Sequence, residues 1–185
     1  LDFPNLPYLL DGDVRLTQSS AIARYIVAKW APELAGNTPA EVGRAAMVEG
    51  RLSDLNSALD KIAFWPEAST ERLQEAMKSS LGPLHDFLGD NKFIVGDNVT
   101  YVDFILFEML EKAQHKEIFD NAFFSLYPNY RSYHARIEAL PNMMSKEERE
   151  AQGYFNGWRS RMLGAGEEMY RKYKKLDEEN LVDKN

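Results

Sequence analysis

The apolar positions open as two short runs, Tyr8-Leu9-Leu10 and Val14 with Leu16, on either side of Asp11-Gly12. That dipeptide is a hairpin signal, so the runs read as two short strands joined by a tight turn. Pro7 stands where the first strand begins. A proline has no ladder donor and a fixed φ, which suits a strand start or an edge. From Thr17 the spacing becomes helical: Ile22, Tyr25, Ile26 and Trp30 share one face of a helix predicted over 17–31. Pro32-Glu33-Leu34-Ala35-Gly36-Asn37 then breaks the pattern and reads as a linker.

Beyond the linker every long apolar period is helical. Thr38-Pro39-Ala40-Glu41 is a helix start, with Thr38 as N-cap, Pro39 at the first helical position and Glu41 completing a capping box. Val48, Leu52, Leu55, Leu59 and Ile62 form one seam of a helix running to about Ala63. Gly50 inside it costs roughly 1 kcal/mol against Ala, which a close helix contact would explain. A second helix, 69–88, carries Leu73, Met77, Leu81, Leu84 and Leu88, with a kink expected at Gly82-Pro83 and a stop at Gly89. Phe93-Ile94-Val95 is a short apolar piece before a turn at Gly96-Asp97-Asn98. Thr100 caps the next helix, with Asp103 at its third position and Val99 and Phe104 spaced as a hydrophobic staple. This helix is apolar over more than one face and is expected at the buried centre of an all-helical domain. Pro128 to Leu140 forms a further helix, Pro141 interrupts it, and Ser145-Lys146-Glu147-Glu148 restarts one with a capping pattern. The stretch from Gly164 to Asn185 is highly charged and reads as a solvated helix fraying into a disordered end.

Composition narrows the function. The 185 residues are 44% hydrophobic and 28% charged, enough for a real core in one or two domains. A net charge of -7 argues against nucleic acid as the main partner. There is no cysteine, so thiolate nucleophiles, disulfides and Cys-based zinc sites are excluded. His85, His115 and His134 are scattered, no pair has the spacing of a zinc helix, and all three read as ordinary residues with no metal. No apolar run reaches the about 20 residues of a membrane span, and a membrane role is not expected. The lack of cysteine fits a reducing compartment, and the chain is expected to be cytoplasmic. An organelle stays open, because the chain begins with Leu rather than Met and any targeting segment would precede it.

The chemistry sits in the opening stretch. Backbone groups left free at a proline-started strand, beside a helix N-terminus, make a cradle for a carboxylate or a peptide. Read singly, each residue has a plainer alternative. Pro7 suits any edge strand, Gln18-Ser19 any helix start, and Phe3 a loop packed on its own core. Asp54, three residues after Arg51, would by default form a weak surface ion pair.

As a set the residues resemble glutathione transferases, mu-like with some sigma-like features. The resemblance rests on Leu1-Asp2-Phe3-Pro4-Asn5-Leu6-Pro7-Tyr8-Leu9 with Asp11-Gly12, on Thr17-Gln18-Ser19 with Ala21-Ile22, and on Val99-Thr100-Tyr101-Val102-Asp103-Phe104. Ala21-Ile22-Ala23-Arg24-Tyr25 and Leu34-Ala35-Gly36-Asn37-Thr38-Pro39 look more sigma-like. The likeness covers about residues 1–141 and weakens after Pro141, and Tyr154-Phe155-Asn156-Gly157-Trp158 matches nothing in it.

The resemblance implies a mainly α chain. Residues 1–31 would be the last part of a thioredoxin-like α/β domain (two strands and a helix), 32–37 a linker, 38–163 an all-helical domain and 164–185 a charged extension. It implies a cis Pro7 that presents the Leu6 backbone to the cysteinyl part of glutathione, the co-substrate. Asn5 would support that loop, and Gln18 and Ser19 would hold the γ-glutamyl end. Asp54 matches an acidic residue that reaches the γ-glutamyl amine of a partner subunit's glutathione, and Phe3 matches an aromatic key inserted into the partner. A homodimer through Phe3 and the long helix is therefore expected.

Two departures weigh on catalysis. The family's first β-α-β unit, which carries the hydroxyl residue that stabilises the glutathione thiolate, precedes the point where this sequence starts. No catalytic residue is therefore assigned within the chain. Phe64 also stands where mu enzymes have a tyrosine that assists at the electrophile. Conjugation of glutathione to electrophiles is expected if the preceding unit is present. The alternative is a non-catalytic subunit or scaffold of a larger assembly, with the charged extension as contact arm. A weaker option is a carrier of apolar ligands, with Met47, Phe64 and Trp65 lining a pocket.

Overall fold

The structure is a computed structural model that describes residues 1–64, 69–115, 118–119 and 122–151. The expectations for the Phe64 side chain, Trp65, Tyr154 to Trp158 and the extension 164–185 lie outside the described residues.

The chain begins with strands β1 (Tyr8–Asp11) and β2 (Val14–Thr17), paired antiparallel with Tyr8 opposite Thr17 and Asp11 opposite Val14. The turn residues are therefore Gly12-Asp13 rather than Asp11-Gly12. Gly12 has φ +59, the positive value that a hairpin turn led by glycine demands at its first central position. Helix α1 spans Ser19–Trp30, inside the predicted 17–31. Its predicted apolar face is not a buried one: Val27 alone is fully buried, and Ile26 and Trp30 stand exposed. The described residues pack only the hairpin and the linker turn closely against it. Residues Pro32–Ala35 of the linker form a single 3-10 turn.

The rest is helical: α2 (Pro39–Phe64), α3 (Thr70–Leu88), α4 (Tyr101–Ala113), α5 (Phe123–Leu126), α6 (Pro128–Glu138) and α7 (Lys146–Ala151). The predicted seam of α2 is core, with Leu52, Leu55 and Leu59 sealed and Ile62 packed at the edge. It meets the stripe Leu73, Met77, Leu81, Leu84 and Leu88 of α3. Each such side chain contributes about 1.5–3 kcal/mol by leaving water. The predicted centre, α4, packs against α2 and α6 and buries Val102, Leu106 and Leu110 completely.

Glu41 does not close a reciprocal box with Thr38. Its amide donates to the Thr38 hydroxyl at 3.2 Å, but its carboxylate accepts from the Asn37 N–H at 2.6 Å, one residue further out. At α7 the box is reciprocal, with Ser145 and Glu148 each accepting the other's amide. Gly50 has open space, not a close helix, where a side chain would begin. The close approach is at Gly82, where the Tyr127 hydroxyl lies 3.3 Å from the place a Cβ would take.

Helix α3 continues through Gly82-Pro83. Pro83 has no N–H for the Ser79 carbonyl one turn back. The Arg51 guanidinium donates to that carbonyl at 2.7 Å. Arg51 is therefore engaged with α3, and the default Arg51–Asp54 ion pair is not the contact it makes.

The turn predicted at Gly96-Asp97-Asn98 begins three residues earlier, at Phe93. Phe93 and Gly96 exchange backbone bonds around Ile94-Val95, and this apolar tip is buried. Asp103 holds it in place. Its Oδ1 accepts from the Ile94 N–H and the Tyr133 hydroxyl, both at 2.8 Å. Its Oδ2 accepts from the Thr100 N–H at 2.7 Å and the Thr100 hydroxyl at 2.8 Å. The predicted cap is thus also the buried polar joint between the Phe93–Gly96 loop, α4 and α6.

Candidate functional site

The approach to the hairpin is held by short-range bonds. The Thr17 hydroxyl at the end of β2 donates to the Phe3 carbonyl at 2.7 Å, folding the first residues back along the sheet. Asn5 Oδ1 accepts the Leu6 N–H at 2.9 Å. The Leu6-Pro7 bond is cis. Leu6, at 79% exposure, lies outside the ladder, which starts at Tyr8. Its backbone is open to an extended ligand, and Asn5 holds its donor.

Gln18 follows β2 directly and occupies the N-cap position of α1 with φ +72 and ψ 115. A non-glycine residue pays for that backbone with roughly 1–3 kcal/mol of strain. Its side chain makes no cap hydrogen bond. Ser19 opens the helix, and both side chains are exposed. The first N–H groups of α1 lack intrahelical partners and carry the positive end of the helix dipole. The arrangement therefore sets an exposed backbone at Leu6-Pro7 alongside the electropositive helix end at Gln18-Ser19.

The C-terminal half of α1 is pinned to the hairpin turn. Asp11 Oδ2 accepts from the Tyr25 hydroxyl at 2.7 Å and from Lys29. Lys29, then Tyr25, hold the Asp11 carboxyl below its usual range. Lys29 also sits 4.6 Å over the Trp30 ring.

Asp54 is the one predicted site residue placed apart, exposed on α2. Gly43, Met47 and Gly50 share its exposed face, opposite the buried seam. Phe3 is 77% exposed, which rules out packing on its own core. Met47 is also exposed.

The reading of the sequence passed over Glu49. It is buried on α2, and its Oε2 accepts from Arg24 Nε at 2.8 Å, from Arg24 Nη2, and from the Tyr101 hydroxyl at 2.8 Å. Burial, and then the Glu49 carboxylate, push the Tyr101 hydroxyl pKa up, so it stays a donor at neutral pH. A glutamate beside Val48 at the border of the α2 seam was the available signal, and its arginine lies on another element.

Comparisons with known proteins bear on the family. Residues 53–145 match the model of the glutathione S-transferase C-terminal domain. A class-mu 26 kDa glutathione S-transferase of Fasciola hepatica is 36% identical over 172 residues, 89% of this chain and 74% of that protein. Glutathione S-transferase 2 of Gallus gallus is 42% identical over 118 residues, 62% of this chain and 52% of that one. The crystal structure of the glutathione S-transferase Blo t 8 superposes with a TM-score of 0.66 at 27% identity, covering 88% of this chain and 72% of that one. The strand pair, the helical core and these likenesses together place the chain in the glutathione S-transferase family, on its mu-like side.

Proposed function

We propose that residues 5–7 and 18–19 form the cysteinyl and γ-glutamyl half of a glutathione site, in a protein that transfers glutathione to electrophiles. Gln18 carries this reading. It is a strained residue whose side chain makes no cap bond, at a helix N-terminus in the same strand-pair unit as the exposed Leu6-Pro7. A peptide ligand would run along Leu6, with the Asn5 side chain exchanging its hold on the Leu6 N–H. Its terminal carboxylate would meet Ser19 and the free amides of α1. The working form is a homodimer in which the Phe3 key and the exposed face of α2 meet the second subunit, and Asp54 reaches the neighbour's γ-glutamyl amine. Its place is cytoplasmic and its role the detoxification of electrophiles. Activation of the thiol is assigned to no residue of this sequence.

Isothermal titration with glutathione tests the site. Binding by the wild-type chain, weakened about tenfold by Gln18→Ala or Ser19→Ala through loss of a hydrogen bond to a charged group, is the expected result. Absence of binding, or variants that bind as the wild type does, would remove the reading.

A further inference from the structure

The hairpin and α1 add no side chain to the main apolar core, which is built from α2 onward. What ties α1 to that core is polar. Arg24 on α1 reaches Glu49 on α2, and Glu49 in turn holds Tyr101, the first residue of α4. Tyr101 follows Thr100, which is locked to Asp103 and through it to Ile94 and Tyr133. Two sets of hydrogen bonds, joined by the Thr100–Tyr101 peptide bond, therefore lead from α1 into the buried centre of the helical domain. Glu49 is sealed, whereas the Arg24 side chain is 55% exposed, so the pair has one anchored end and one free end. Arg24 lies six residues beyond Gln18, about 9 Å along the helix axis. Tilting α1 about this contact moves the Gln18-Ser19 end directly, whereas Asp11 holds the helix from Tyr25, beside Arg24, to Lys29 near its C-terminus.

We propose that Glu49, acting through Arg24, is a positioning residue for the glutathione cradle: it sets where the N-terminus of α1 stands relative to the helical domain, and so how Ser19 meets the γ-glutamyl carboxylate. This rests on the reading of the cradle given above. It adds an internal joint within one chain to the residues that touch the ligand. Among the described residues, Arg24 and Tyr101 both donate to the same oxygen of Glu49, Oε2, so one carboxylate oxygen joins α1 to α4.

The test is a double-mutant cycle on the whole chain, with glutathione affinity as readout. Arg24→Ala should weaken binding about tenfold in the wild-type background. In a Ser19→Ala background it should weaken binding less than about twofold, because the contact it positions is already gone. Arg24→Lys should recover part of the loss. Glu49→Gln, which keeps shape and the Tyr101 contact, serves as the second variant should Arg24→Ala fold poorly. Unchanged affinity in Arg24→Ala and Glu49→Gln, or an equal loss in both Ser19 backgrounds, overturns the proposal. If the wild-type chain binds no glutathione, the functional reading fails by itself. Amide exchange over residues 19–24 then decides the joint: faster exchange in Arg24→Ala supports it, and exchange as in the wild type overturns it.

Discussion

At the scale of single residues, the chain holds one polar group whose loss the fold should feel most. Asp103 is fully buried and accepts from Ile94, Tyr133 and both donors of Thr100. Burial pushes its carboxyl up, while those donors pull the other way. Asp103→Asn keeps the shape but turns an amide N–H₂ toward groups that also donate. The expected cost is about 2–4 kcal/mol, since donors left unsatisfied in the core lose their solvation as well as their bond. A urea titration comparing midpoints at constant slope reads it. A midpoint within error of the wild type would show that the joint contributes little. Nothing in the local sequence distinguishes this residue from an ordinary capping aspartate, because Ile94 and Tyr133 arrive from other elements.

At the scale of elements, α3 shows how one helix repairs another. Pro83 leaves the Ser79 carbonyl without its usual donor, and Arg51 of α2 supplies one. Arg51→Ala is therefore expected to destabilise the protein by about 1 kcal/mol. In a Pro83→Ala background, where the backbone N–H returns, the same change should cost only a few tenths of a kcal/mol. Equal costs in both backgrounds, measured by denaturant unfolding, would show that Arg51 serves something other than the carbonyl. The apolar period of α3 was legible in the sequence. The reason a proline is tolerated within it was not, because the compensating donor lies 28 residues away.

At the scale of the molecule, two surfaces can be tested. The first is the exposed face of α2 with Gly43, Met47, Gly50 and Asp54. Gly50→Ala meets no neighbour within 4 Å in the single chain. Alone, it should stabilise the helix by about 0.5–1 kcal/mol. Gly50→Arg should halve the mass seen in sedimentation if this face meets a second subunit, and leave it unchanged if not. The second is the junction of α4, α6 and α7. Glu111 accepts from His134 and, at 3.4 Å, from Arg149, which also reaches Glu138 at 2.9 Å and the Met144 carbonyl at 2.6 Å. Phe107 stacks on His134 at 4.5 Å and lies under Arg149. Burial by itself raises the Glu111 carboxyl, but the hydrogen bond and charge of His134, followed by Arg149, outweigh it and leave it below its usual range. A carboxyl lowered by folding stabilises above its unfolded pKa, and that contribution fades as pH falls through the folded value. The stability gap between wild type and Glu111→Gln should be about 1–3 kcal/mol at neutral pH and shrink below about pH 4. A gap that stays constant across that range would exclude the linkage.

The sequence by itself determined the longer elements and two of the three capping boxes, because helical period, Ser/Thr-x-x-acid starts and proline positions act over neighbouring residues, whereas α5 and the carboxylate of Glu41 escaped it. The seam of α2, the stripe of α3 and the boxes at Thr100 and Ser145 all came from such local rules. The family likeness was legible in the same way, in runs of contiguous residues. Tertiary structure alone decided which polar groups meet. Arg24 finds Glu49 across 25 residues and Tyr133 finds Asp103 across 30. The apolar face of α1 was periodic in sequence yet lies largely open among the described residues, since period reports what a helix can bury and only its neighbours decide what it does bury. The same holds for the site. Asn5, Pro7, Gln18 and Ser19 could be proposed from their order along the chain, but the strained backbone of Gln18 and the contact of its helix with Glu49 exist only once the chain has folded.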